Sequence, residues 1–307
     1  MSIFFRRCNS NFVSTTNFAH PAHAKNALLY LENKSVKSYG DIDTLSGRYA
    51  SLLNSKYAIH KGDRVLARVT KSEDSVALYL AVLRLGAIYV PVNPAYTPTE
   101  TNHYVDDVQP KAFITLAHHK DIQFLPKITH ILSESTLKTE ALNTTPDFSI
   151  EPVSPTDIAS ICYTSGTTGL PKGAMITHGA LTKGGECLTS LWQFRSRDVL
   201  LHALPFYHVH GMFLSLSCCL FSQSSAIWLP KFDLPKAIKY MNKASVMSGV
   251  PTFYSRLLDS KDFKPSAYQN IRLFISGSAP LTSAVWDKFY LKTGNCLISF
   301  YATHILF

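Results

Sequence analysis

Residues 163–174 read YTSGTTGLPKGA and follow directly on the apolar run IASICY (158–163). Ser and Thr hydroxyls, glycines that let a backbone approach a ligand closely, and the single cation of Lys172 crowd into one loop. Many N–H and O–H donors beside a mobile positive charge suit a polyphosphate. The loop is not the phosphate loop of the common nucleoside triphosphatases, G-x-x-x-x-G-K-[ST], because Pro171 precedes Lys172. The competing reading is a flexible surface loop with a turn at LPKG, although a generic loop need not follow a strand so closely.

A second concentration of reactive side chains lies in LHALPFYHVHGMF (201–213), with His202, His208 and His210. In a strand, His208 and His210 would share one face and, with His202, could bind zinc. No carboxylate or cysteine stands nearby with ligand spacing, which favours no metal. His208 is then either a functional histidine or a hydrogen-bonded core residue.

Elements must position these loops. Residues 62–94 read as strand, helix, strand: Val65 to Val69 is β-rich, and Val76, Leu80, Leu83 and Ala87 recur at helical spacing from Ser75 onward. The run AIYVPVNP then returns to β structure and stops at prolines. Further strands are predicted at 199–204, 225–230, 245–250 and 271–276, with a helix after the Gly-rich loop from Gly179 to Phe194. Alternation of this kind predicts an α/β fold with βαβ subdomains and mostly parallel sheets. The polar, Thr-, Ser- and Pro-rich stretch 133–157 reads as a connector between subdomains.

The 307 residues, 46% hydrophobic and 17% charged, can build a sizeable core. The formal charge of +9 is spread over 30 scattered Lys and Arg residues, without the cluster that a nucleic-acid arm or polybasic membrane patch needs. None of the six cysteines forms a C-x-x-C pair, so reduced core thiols are expected. The longest apolar run, GMFLSLSCCLF (211–221), is too short to span a bilayer and reads as a buried element. At the N-terminus, Arg6, Arg7, Lys25 and many Ser, Thr and Asn precede the first acidic residue, Glu32. That is the composition of a mitochondrial transit peptide over 1–26, which predicts the matrix as the location.

The loop YTSGTTGLPKGA resembles the phosphate-binding signature of the acyl-CoA synthetase, or AMP-forming adenylating, family. The likeness runs on through LHALPFYHVHGMF, LPKFD (229–233), GVPTFYSRLL (249–258) and LFISGSAPL (273–281), and is strongest to the malonyl-CoA synthetase group. It covers residues from about 27 to 298, which would form the adenylating domain. The resemblance implies a ligase that joins a carboxylic acid to AMP, releasing pyrophosphate, and then passes the acyl group to CoA. ATP, Mg²⁺ and CoA are the implied cofactors, and a dicarboxylate, malonate or methylmalonate, the implied substrate. Mapped by motif, Thr164, Ser165, Gly166, Thr167, Thr168, Gly169 and Lys172 would hold the ATP phosphates. His208 would border the carboxylate and the acyl-transfer step, while Gly277, Ser278, Ala279 and Pro280 would line the adenine and acyl pocket. Tyr301 would stack on adenine. Arg256, with Ser278, would take the second carboxylate, since a buried carboxylate calls for a bidentate guanidinium. The alternative for Arg256 is a surface pair with Asp259.

The last residues depart from the family pattern. Phe300 stands where an Arg would complete a dicarboxylate clamp, and YATH replaces YGMTE, removing the Glu that binds Mg²⁺. Residues 299–307 therefore read as a divergent tail, and the chain as a form lacking the end of the adenylating domain and the small C-terminal lid. Two alternatives to dicarboxylate activation follow: an inactive fragment of such an enzyme, or a ligase for medium-chain fatty acids.

Overall fold

The computed structural model describes residues 9–16, 18–116, 128–164 and 171–300. In chain order the strands are β1 (Ala27–Leu31), β2 (Val36–Ser38), β3 (Arg64–Arg68), β4 (Ile88–Pro91), β5 (Ala112–Thr115), β6 (His130–Ser133) and β7 (Ile158–Thr164). They continue as β8 (Lys172–Thr177), β9 (Val199–His202), β10 (Ser225–Trp228), β11 (Val246–Gly249), β12 (Leu273–Gly277) and β13 (Leu297–Phe300). The chain divides into two compact units. The first comprises residues 1–19, 44–69 and 77–182, and the second residues 20–43, 70–76 and 183–307.

The first unit is built on a six-stranded sheet in the order β6-β5-β3-β4-β7-β8. All its pairings are parallel except β7 with β8. β5 is buried at all four positions, as expected of a parallel strand covered on both faces. A cluster of Leu66, Val90, Val92, Tyr104 and Phe113 packs on this sheet. Between β3 and β4 runs the helix Glu73–Arg84, of which residues 77–84 belong to this unit; Arg84 in its last turn matches the helix dipole. It ends before Gly86, whose φ of +64° is costly for any residue with a Cβ.

One sequence expectation is corrected in this unit. Residues 133–157 do not link the two units; they lie wholly in the first, and Glu134–Leu142 form a helix capped by Ser133. The N-terminal residues are also part of the core. Phe12, Val13 and Phe18 are buried, and the Asn11 amide donates to the carbonyls of Leu83 and Glu151 at 2.6 and 3.2 Å. A leader running to residue 26 would carry these groups away with it.

The second unit has a seven-stranded sheet, β13-β12-β11-β9-β10-β1-β2, antiparallel only between β1 and β2. Its core gathers Leu201, Met247, Tyr254, Phe274 and Phe289 from strands and helices. The run 211–221 is buried for most of its length, as a wide turn over His210–Ser215 that passes into the helix Leu216–Ser222. Asp198, 3% exposed, is gripped by Arg272 through contacts of 3.0 and 2.6 Å and accepts from the Ser245 hydroxyl at 2.7 Å. A nearly buried carboxylate is stable only with such compensation.

Candidate active site

In the first unit, β7 and β8 form a hairpin whose last pair is Thr164 opposite Lys172. Both side chains are exposed at the base of the Gly-rich loop. Ser165, Gly166, Thr167, Thr168 and Gly169 lie outside the described residues. The base of the loop is anchored by the helix Pro98–Val108, which begins with a reciprocal Thr97–Glu100 cap. From this helix His103 Nε2 donates to the Pro171 carbonyl at 3.1 Å, and the Asp107 carboxylate accepts from the Tyr163 hydroxyl. Tyr163 also packs on Tyr104, with ring centroids 4.3 Å apart. Burial and the Asp107 charge raise the Tyr163 pKa, so the phenol remains a donor. Gly173 is needed because a Cβ would lie 2.8 Å from Ile161. Lys172 has no ion pair among the described residues, which leaves its charge available to an anionic ligand.

In the second unit the organised histidine is His210. Its Nε2 lies 2.7 Å from the Ser248 Oγ and its Nδ1 3.2 Å from the Ser278 Oγ. Ser215 Oγ donates to Ser248 Oγ at 3.1 Å, which extends the contact into a chain of hydroxyls beside the ring. A neutral imidazole donates from one nitrogen and accepts at the other, so Ser248 and Ser278 play opposite parts toward the ring. Burial lowers the His210 pKa to about 3, so the ring stays neutral at physiological pH. Ser278 follows β12 at a left-handed φ of +69°, a costly conformation for a residue with a side chain, and one held at a functional turn. Gly277 is buried, while Ala279 and Pro280 are exposed beyond it. A Cβ on Gly277 would press into the Phe300 ring. That ring stands edge-on to His210 at 4.8 Å and to Trp192 at 5.3 Å. Tyr301 lies outside the described residues.

His208 and His210 do not share a face. His208 is exposed, packs on Tyr207 at 4.5 Å and begins the turn by accepting from the Met212 N–H through its carbonyl. Desolvation lowers its pKa, which leaves a neutral imidazole able to accept a proton. The zinc grouping of His202, His208 and His210 is absent, and no cluster of three or more His, Cys, Asp or Glu able to hold a metal occurs among the described residues. Arg256, on the helix Pro251–Leu258, is exposed and lies over the Phe232 ring at 5.1 Å. Phe232 is itself stacked on Phe253 at 3.9 Å. Arg256 forms no ion pair with Asp259. The structure thus joins Ser278 to His210, a residue the motif reading passed over. Its signal in the sequence was position alone: the second His of HVH, immediately before Gly211.

The adenylating fold is matched across nearly the whole chain. The profile of the AMP-binding enzyme family matches residues 16–303, and the chain belongs to that family. Among curated relatives, malonate–CoA ligase of Arabidopsis thaliana is 29% identical over 293 residues, covering 84% of this chain and 48% of that protein. A long-chain-fatty-acid–CoA ligase of Bacillus subtilis is also 29% identical, over 86% of this chain and 54% of its own length. The crystal structure of apo MatB from Rhodopseudomonas palustris superposes with a TM-score of 0.90 at 35% identity, covering 95% of this chain and 59% of that one. The chain spans about half the length of the curated relatives it matches.

Proposed function

We propose that this chain carries the adenylating part of an acid–CoA ligase acting on a short dicarboxylate, malonate or methylmalonate. The observation that carries the reading is the β7–β8 hairpin, which presents Thr164 and Lys172 as an exposed pair at the base of a Gly-, Ser- and Thr-rich loop. The similarity to a malonate–CoA ligase supports the substrate class.

In the reaction, a carboxylate oxygen attacks the α-phosphorus of ATP, and the bond to the bridging oxygen breaks to release pyrophosphate. Lys172 and the loop donors take up the charge that grows on the leaving group. ATP enters with its Mg²⁺. Ser278 donates its hydroxyl proton to the acid, and the neutral His208 borders the carboxylate. In the second half-reaction the thiolate of CoA attacks the acyl carbonyl and AMP departs. Arg256 would hold the far carboxylate of a dicarboxylate.

One observation favours a second substrate class. The Phe300 ring lies against both Gly277 and His210, and an apolar surface there suits a monocarboxylic acid better than a second charge. Acid-dependent ATP–pyrophosphate exchange on the 307-residue chain decides between the two. Exchange with malonate or methylmalonate, at least tenfold above octanoate, is the expected result. A preference for octanoate assigns the fatty-acid reading, and no exchange with any acid from a folded sample makes the chain an inactive fragment.

We also place the protein in the mitochondrial matrix, on the acid-free, Arg-bearing start that includes Arg6 and Arg7. The packing of Asn11 and Phe12 favours a cleavage point upstream of Asn9.

A further inference from the structure

Lys71 has no place in the chemistry above, yet it is the most heavily engaged lysine of the second unit. Its ammonium meets the carbonyl oxygens of His202, Leu204 and Leu229 at 2.9, 3.0 and 2.6 Å, and His202 Nδ1 at 2.9 Å. Below it lies the Trp228 ring, 4.3 Å to the centroid. No carboxylate joins this set, so the charge is held by carbonyl dipoles, an imidazole lone pair and a π-face. The carbonyls belong to the ends of β9 and β10 and to the chain just beyond them.

What leaves that point is the loop carrying His208 and His210. His202 Nε2 lies 2.8 Å from the carbonyl of Gly211, so the loop is tied at both ends to the residue that Lys71 holds. Gly211 also approaches Pro205 so closely that a Cβ would overlap the Pro205 carbonyl oxygen. The polarity follows from chemistry. A carbonyl oxygen can only accept, so the ring proton sits on Nε2, where it donates to Gly211, and Nδ1 is left as an acceptor facing the Lys71 amine.

We propose that Lys71 is a positioning residue for the adenylation site: by holding the His202 tautomer and the Leu204 and Leu229 carbonyls, it sets the loop from Pro205 to Gly211 that carries His208 and His210. The proposal rests on the function assigned above for its catalytic consequence, but not for the tautomer. Removing the ammonium leaves several acceptors without a donor at once; the loop then shifts, His202 loses its Gly211 acceptor, and its ring proton is no longer confined to Nε2.

The test has two arms. In ¹⁵N-histidine spectra of the unmodified full chain, His202 is expected as the neutral Nε2–H tautomer from pH 5.5 to 8. The Nδ1–H tautomer there would overturn the proposal without any variant. In Lys71→Met, of similar volume but without donors, the Nε2–H signature is expected to give way to a mixture of tautomers. The turnover of ATP–pyrophosphate exchange should fall about tenfold or more, with the KM for ATP within about twofold of the original, as for displaced catalytic groups beside an intact nucleotide loop. Lys71→Met with reduced stability but unchanged turnover and tautomer would reduce Lys71 to a structural brace. Absence of exchange from the unmodified chain overturns the assigned function alone, because the tautomer is read without substrate.

Discussion

His210 is the residue on which environment acts most plainly. In the unfolded chain it would titrate near the ordinary histidine value of 6.5, whereas in the fold burial lowers its pKa to about 3. Between those values the unfolded state binds a proton that the folded state refuses, so stability from this group is present above about pH 6.5 and lost as pH falls. The expected slope is about 1.4 kcal/mol per pH unit. Urea unfolding of the original and of His210→Gln, compared from pH 7.5 to 5, should show their stability difference shift by roughly 2 kcal/mol against the original. Parallel pH dependences would mean that His210 is not held neutral by the fold. His178, with burial lowering its pKa to about 4, contributes the same sign to both proteins and cancels in the comparison. Histidine spacing alone could not foresee this. HVH offers two equivalent imidazoles, and only the Ser215–Ser248–Ser278 surroundings distinguish them.

At the scale of elements, both functional loops leave an end of a strand and are braced from a neighbouring segment. The residues flanking the Gly-rich loop, Tyr163 and Pro171, are held on a capped helix through Asp107 and His103, and the histidine loop closes on itself at Pro205 and Gly211. The second closure makes a sharp prediction. Gly211→Ala places a methyl group against backbone, which cannot swing aside as a side-chain end could. The expected cost is about 1–3 kcal/mol, read as a lower urea midpoint. The His210 ring should also lose its contact with Ser248, visible as a changed ¹⁵N signature. A variant of unchanged midpoint would show that the loop opens without strain. Strand ends were partly legible beforehand: β7, β9, β10, β11 and β12 fall within or beside the apolar runs that suggested them. β8 and the helix Glu134–Leu142 were not. β8 mixes Lys172 and exposed Met175 with one buried Ile176, and that helix buries only Leu137 and Ala141, too little periodicity to announce itself.

For the whole molecule, the N-terminal segment sets the proposed import signal against the packing of the first unit. Phe12, Val13 and Phe18 are almost wholly buried in the first unit. Burying a side chain of this size contributes roughly 1.5–3 kcal/mol, so three together rival the 5–15 kcal/mol that typically holds a domain folded. A chain lacking residues 1–26 is therefore expected to lose cooperative thermal unfolding of its first unit, and a matrix-processed form to begin at or before Asn9. Recovery of a stable, cooperatively melting protein that starts at Ala27 would show that the segment is dispensable.

By itself the sequence determined the α/β class and most of the buried parallel strands, and it carries the proposal that the Gly-rich loop holds phosphate. Each of these is written in neighbouring residues: hydroxyls and glycines beside one Lys, or runs of apolar side chains that water would penalise. The tertiary structure alone decided which histidine is organised, where Lys71 spends its charge, and that Phe12, Val13 and Phe18 belong to the core. Those outcomes join positions far apart in the chain, 68 residues for His210 with Ser278 and 131 for Lys71 with His202. A local pattern cannot specify such partners, because a hydrogen bond depends on a separation of about 3 Å that only the strand order brings about.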